Sequence, residues 1–163
     1  MIFPPAQATY FCGMGSLLTA GHLPLRRLSV EDQLLQSASI ISIIDDDESM
    51  RCALKSLVAS LGLKAHAFAS AEQFLQSQRL DDTACLITDL QMPGLNGIEL
   101  QNLLLAQGRH IPIIFVTAFA EEPMRTRALK AGALAFLSKP FESQTLADLI
   151  ERVIDTSRPL QPI

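Results

Sequence analysis

Several features are scarce in this 163-residue chain, and each scarcity excludes a class of function. Lys and Arg number 13 against 17 Asp and Glu, a net charge of −4. Such a balance repels a phosphate backbone, so direct nucleic-acid binding is not expected. No apolar run approaches the roughly 20 residues that a membrane span needs. Cysteine occurs only as Cys12, Cys52 and Cys85. That odd number at wide spacing suits neither a disulfide framework nor a zinc site, and points to a reducing, cytoplasmic setting. His22, His66 and His110 have no metal-type spacing and are read as structural or exposed. Apolar residues, by contrast, make up 48% of the chain and charged ones only 18%. That is enough to bury one core, in a chain with room for about one domain of roughly 150 residues.

Residues 1–37 stand apart. Their only charges are Arg26, Arg27, Glu31 and Asp32, which cancel, so the whole −4 falls on residues 38–163. Pro4, Pro5, Gly13, Gly15, Gly21 and Pro24 interrupt the segment, and no period is sustained. A secretory signal is not expected, because Arg26 and Arg27 follow the apolar stretch instead of preceding it. Cys12, after Thr9-Tyr10-Phe11, lacks the small neighbours of a lipidation site. The expectation is a disordered leader over 1–37 or an upstream-extended start, with a short helix near 30–36. An intact mass of natively expressed protein at full length would rule out the extended start.

From Ser39 onward the pattern becomes regular. Ile40-Ile41-Ser42-Ile43-Ile44 reads as a strand buried on both faces. Met50, Leu54, Leu57, Val58 and Leu61 recur at helical spacing, and Gly62 closes that helix. Residues 64–68 read as a second strand, and Ser70 with Gln73 forms a capping-box start for a helix reaching about residue 78. Residues 84–88 form a third strand ending at Asp89, and Gly94 and Gly97 make a loop before a helix over 98–107. Residues 113–116 form a fourth strand, Pro123 opens a helix that Gly132 stops, and 135–137 form a fifth strand. Leu146, Leu149, Ile150, Val153 and Ile154 mark one face of a last helix. Such alternation implies an α/β domain over 38–157, a five-stranded doubly wound parallel sheet, followed by a short tail at 158–163.

Ligands of these sheets sit outside the carboxyl ends of the strands. The residues placed there are Asp45, Asp46 and Asp47 after the first strand and Asp89 after the third. Thr117 follows the fourth strand, and Ser138 and Lys139 follow the fifth. Crowded carboxylates repel one another unless a cation joins them. Their hard oxygens, together with waters, suit Mg²⁺. A lysine and a threonine hydroxyl facing that ion would complete a cradle for a phosphoryl group, whose transfer needs mainly positioning and charge neutralisation.

Four ordered stretches then carry a resemblance. They are Ile43-Ile44-Asp45-Asp46-Asp47-Glu48, the run from Thr88 to Gly97 (Thr-Asp-Leu-Gln-Met-Pro-Gly-Leu-Asn-Gly), Phe115-Val116-Thr117-Ala118, and Lys130-Ala131-Gly132-Ala133 with Ser138-Lys139-Pro140-Phe141. Residues 39–156 resemble the CheY-like response-regulator receiver domain of two-component signalling, with motif wording nearest the FixJ-type subgroup. The resemblance implies strand order 2-1-3-4-5, the order CheY itself exemplifies. It also implies phosphorylation on Asp89, with Mg²⁺ held by Asp45, Asp46, Asp89 and the backbone carbonyl of Gln91. Lys139 would pair with Asp89 and then with the phosphoryl oxygens, and a cis Lys139–Pro140 bond is expected. Thr117 would move to the new phosphoryl group, Ala118 would leave room for it, and Phe136 would be the switch aromatic that turns inward. Gln91 and Phe119, by position, would tune the phosphoryl lifetime. The implied partner is a sensor histidine kinase or histidine phosphotransfer protein. The face made by helix four, strand five and helix five would bind a second copy or a target protein.

FixJ-type regulators commonly continue into a helix-turn-helix domain, whereas only residues 158–163 follow the last helix here, so the expectation is a stand-alone receiver acting through protein contacts or a regulator whose output domain is lost. Arg125, Arg127 and Lys130 make helix four basic, either as a solvated face or as a partner surface. Asp47 and Glu48 read as first-turn residues facing a helix dipole. Mg²⁺-dependent phosphotransfer to itself from small donors, and self-dephosphorylation, are expected in place of enzymatic turnover. Two alternatives stay open. Asp45-Asp46-Asp47-Glu48-Ser49 also fits the opening motif of haloacid-dehalogenase-like phosphatases, with Asp45 as nucleophile and Asp47 as general acid, although no acidic pair follows Lys139. The other is a pseudo-receiver that works without phosphate.

Overall fold

The computed structural model describes residues 40–157. The proposed leader, its helix near 30–36, Cys12, His22 and the tail lie outside the described residues. Ten elements alternate: β1 (Ile40–Ile44), α1 (Glu48–Ser60), β2 (Lys64–Phe68), α2 (Ala71–Gln76), β3 (Thr83–Thr88), α3 (Gly97–Ala106), β4 (Ile113–Thr117), α4 (Glu122–Lys130), β5 (Ala135–Ser138) and α5 (Ser143–Ser157). All strand pairs are parallel, in the order β2-β1-β3-β4-β5, the order the resemblance implied.

Side-chain alternation along the strands divides the core into two layers. Ile41 and Ile43 of β1, Cys85 and Ile87 of β3, and Ile114 and Val116 of β4 pack with Leu54 and Val58 of α1 and with Leu146, Ile150, Val153 and Ile154 of α5. The intervening residues Ile44, Leu86, Ile113 and Phe115 pack on the other face with Phe74 of α2, Leu100 and Leu104 of α3 and Ala128 of α4. Both faces are therefore covered, which explains why β1 and β4 are buried along their whole length.

The one polar residue inside β1 is satisfied. Ser42 Oγ lies 2.8 Å from Thr83 Oγ1, and the Thr83 hydroxyl also donates to the Arg79 carbonyl at 2.6 Å. This link brings Thr83 into β3, one residue earlier than periodicity alone indicates. At the far end, α2 stops at Gln76, because Ser77 turns extended while its hydroxyl bonds the Phe74 carbonyl at 2.6 Å.

The register brings the strand ends level. Ile44 faces both Phe68 and Thr88, and Thr117 faces Ser138. The ladder continues one residue past the strands: Asp45 N–H donates to Phe68 O (3.3 Å), Asp89 N–H to Ile44 O (2.9 Å) and Lys139 N–H to Thr117 O (2.8 Å). The first residue after each strand is thus pinned at the carboxyl edge, where its side chain can meet those of its neighbours.

Candidate functional site

At this edge Lys139 joins two carboxylates. Its Nζ donates to Asp45 Oδ2 and to Asp89 Oδ2, both at 2.8 Å. Asp45 is 1% exposed and Asp89 8%, so neither charge is well hydrated and each needs the ammonium. Burial acts to lower the Lys139 pKa, but hydrogen bonds and Coulombic attraction from Asp45 and Asp89 outweigh it and raise the pKa above its ordinary value. The second oxygens are also held, Asp45 Oδ1 by the Asp47 N–H (2.9 Å) and Asp89 Oδ1 by the Gln91 N–H (3.0 Å).

Asp46 is exposed, and its carboxylate has no hydrogen-bond partner among the described residues. One oxygen from each of Asp45, Asp46 and Asp89 lies within 4.8 Å of the others, and among the described residues this is the one acidic, histidine or cysteine cluster able to hold a metal ion. Each carboxylate oxygen keeps lone pairs beyond the bonds described. An all-oxygen donor set with water access fits Mg²⁺ and offers nothing for a soft metal.

The other residues singled out from sequence lie around this centre. Thr117 is fully buried at the end of β4, its Oγ1 taken by the Phe119 N–H (3.2 Å) and not by a carboxylate. Phe136 is not at the centre. It is half-buried on β5, with its ring centroid 6.0 Å from that of Phe115. The Lys139–Pro140 bond is cis. Asp47 turns away to cap α1, accepting from the Ser49 N–H (2.8 Å) and the Met50 N–H (3.3 Å), one position before the first turn that the sequence reading gave it, where Glu48 stands. His66 is half-buried and His110 exposed, apart from the centre. Cys85 is buried in the core, where desolvation pushes its thiol up to about 12, so it stays protonated and inert.

Three supports escaped the sequence reading. Arg51 Nη1 donates to the carbonyls of Asp45 (2.7 Å) and Asp46 (3.0 Å). Its place one turn into the helix after the acidic run was the available signal. Gly97 packs so closely under the site that a Cβ would lie 2.5 Å from Asp89 O and 2.9 Å from Phe115 Cε1. Glu72, in the first turn of α2, accepts from the Leu95 N–H at 2.8 Å and so ties down the loop that follows Asp89. Gly97 was read only as a loop glycine ending the Thr88–Gly97 run, and nothing local foretells the Glu72 contact, which joins distant segments.

Fold and edge together define a class: a doubly wound α/β domain whose acidic and lysine side chains converge at the carboxyl ends of β1, β3 and β5. The family model for the response regulator receiver domain matches residues 41–151, and the chain belongs to that family. Nodulation protein W of Bradyrhizobium diazoefficiens is 44% identical over 120 residues, which cover 74% of this chain and 53% of that protein. Transcriptional regulatory protein FixJ of the same organism is 39% identical over 119 residues, 73% of this chain and 58% of its own length. A crystal structure of a response regulator receiver protein from Pseudoalteromonas atlantica superposes with a TM-score of 0.69 at 31% identity, covering 73% of this chain and 99% of that one. The chain spans about half the length of the curated relatives it matches. Residues 41–151 therefore form a receiver domain of the response-regulator family. Among the described residues no helix is long and apolar enough to cross a membrane.

Proposed function

We propose that Asp89 is the phosphoacceptor of a Mg²⁺-dependent phosphorelay, acting within a unit that runs over residues 38–157. The observation that carries this reading is the Lys139 ammonium, 2.8 Å from both Asp45 and Asp89, with Asp46 adjoining. An Asp89 carboxylate oxygen attacks the phosphorus of a phosphohistidine on a sensor kinase or phosphotransfer protein. The P–N bond breaks as the P–O bond forms, and the leaving imidazole takes a proton from water. Asp45, Asp46, Asp89 and the Gln91 carbonyl would hold Mg²⁺, which supplies charge neutralisation for the transferring group. Lys139 stabilises the same charge, passing from the carboxylate to the phosphoryl oxygens. Small phosphodonors would serve in place of the kinase, and water would slowly reverse the modification.

The new dianion has acceptor oxygens that Thr117 can reach by giving up the Phe119 N–H. Its movement along β4 would free space for Phe136 on β5, and the α4–β5–α5 face would repack into a surface for a second copy or a target protein. The cytoplasm, where phosphohistidine donors are made, is the setting this requires. The phosphatase alternative is disfavoured by Asp47, whose Oδ1 accepts two backbone N–H groups as the cap of α1 and which is not part of the acidic cluster.

Incubating the protein with Mg²⁺ and acetyl phosphate, followed by a phosphate-affinity gel, tests the assignment. The expected result is a retarded band for the wild type that is lost in Asp89→Asn. A band that survives Asp89→Asn but vanishes in Asp45→Asn would instead support the phosphatase. Absence of Mg²⁺ binding would support the pseudo-receiver.

A further inference from the structure

Asp45 and Asp46 are adjacent in sequence but held by different means. The Asp45 carboxylate is fixed by the Asp47 N–H and by Lys139. Among the described residues the Asp46 carboxylate has no such restraint, and its main-chain carbonyl is gripped only by the half-buried Arg51. One nitrogen of that guanidinium spans two consecutive carbonyls, at 2.7 Å and 3.0 Å, and so fixes the peptide between the two aspartates. Arg51 is itself held on α1, in the turn that follows the Asp47 cap, and its N–H donates to Asp47 O at 3.0 Å. The chemistry of the grip is selective. By bonding carbonyls, Arg51 places a permanent positive charge behind the acidic pair without occupying any carboxylate oxygen, whereas Lys139 occupies two.

We propose that Arg51 is a positioning residue for the divalent-ion site, clamping the 45–46 peptide so that the Asp46 carboxylate stays beside those of Asp45 and Asp89. The inference rests on the metal-site reading above and adds to it the residue that orients its most exposed ligand. Positioning and simple electrostatics predict opposite signs. Removing a nearby cation should, by Coulomb's law alone, make Mg²⁺ bind more tightly. Releasing the clamp should make it bind more weakly, by about tenfold or more, as is common when the groups orienting a metal ligand are lost.

The test is a Mg²⁺ titration at fixed ionic strength, followed by calorimetry and by NMR shifts, on wild type, Arg51→Met, Arg51→Lys, Asp46→Asn and the double variant Arg51→Met/Asp46→Asn. The expected result is weaker binding in Arg51→Met and an intermediate value in Arg51→Lys, which keeps the charge but ends one bond short of the Nη1 that reaches both carbonyls. In the Asp46→Asn background Arg51→Met should add little, because the ligand it orients is already disabled. Metal-free melts check folding, and if Arg51→Met does not fold, weaker binding by Arg51→Lys carries the expectation. Binding as tight as wild type in Arg51→Lys and Arg51→Met, or fully additive losses in the double variant, would overturn the proposal. A wild type that binds no Mg²⁺ would overturn the metal-site reading, and this inference with it.

Discussion

Gly97 shows how tightly a single residue can be constrained beneath a functional centre. Its N–H donates to Leu90 O at 3.0 Å, so the first turn of α3 lies directly against the chain that carries Asp89. Adding one methyl group would place it 2.5 Å from Asp89 O, 2.9 Å from Phe115 Cε1 and 3.2 Å from Leu90 Cα. Two of the three obstacles are backbone atoms and cannot rotate away. Gly97→Ala should therefore destabilise by about 1–3 kcal/mol, although alanine is the better helix former. A urea midpoint equal to wild type would show that α3 can shift outward. A second residue-scale expectation concerns Glu72. The Leu95 N–H, its own backbone N–H and the Ser70 side chain together hold its carboxyl below the ordinary 4.5. A carboxyl with a depressed folded pKa stabilises above the unfolded value, and that contribution is lost as pH falls through the folded one. Glu72→Gln keeps the shape without the titration. Urea midpoints taken from pH 6 down to pH 3 should therefore fall less steeply for Glu72→Gln than for wild type. Parallel curves would remove Glu72 from the acid response.

At the scale of elements, α3 and α4 are joined by one buried polar link. Gln101 Nε2 donates to Ala128 O at 3.1 Å, while its Oε1 is buried with no partner. Ala128 O also accepts the Ala133 N–H at 3.0 Å, so it is not stranded if the glutamine is lost. Losing one net hydrogen bond costs about 0.5–1.5 kcal/mol, and relieving an orphaned buried acceptor returns about 1–3 kcal/mol. Gln101→Met should therefore change stability by between about −0.5 and +2.5 kcal/mol, on balance a gain, measured by urea denaturation. A clear loss would show that Oε1 has a partner in solution. The same scale shows what could be read from sequence. The strands were legible because both faces of the sheet are covered, so apolar runs such as Ile40–Ile44 carry no competing pattern. Helix starts were legible less evenly. The expected Ser70–Gln73 box closes only partly, since Gln73 Oε1 accepts from the Ala69 N–H (2.9 Å) and not from Ser70. A full box forms instead at Asn96 and Glu99, where Asn96 lies inside the glycine-bearing loop and its residues read as turn signals as much as a cap. Of the site, Asp45, Asp89 and Lys139 were legible because the strand ends order them. Arg51, Gly97 and Glu72 were not, since their roles depend on the backbone geometry of loops.

For the whole molecule, the sheet gathers repulsion at one edge. Asp45, Asp46 and Asp89 bring three carboxylates together with the single nearby ammonium of Lys139. A folded state that concentrates like charge gives up some stability for a site ready to bind a cation, a common exchange at functional sites. The unfolded chain disperses those carboxylates and holds no such site, so a divalent ion that binds the native cluster must stabilise the fold by mass action. At a concentration 100 times its dissociation constant the gain is about 2.7 kcal/mol. For a domain of this size each kcal/mol moves the melting temperature by roughly 3–4 °C. Melting followed by circular dichroism should therefore rise by about 8–11 °C in saturating Mg²⁺, compared with sodium chloride at matched ionic strength. Asp45→Asn/Asp46→Asn removes two of the three charges. It should melt at or above the wild type without Mg²⁺ and show almost no response to the ion. An equal rise in wild type and double variant would place the stabilising cation elsewhere on the surface and separate the acidic edge from divalent-ion binding.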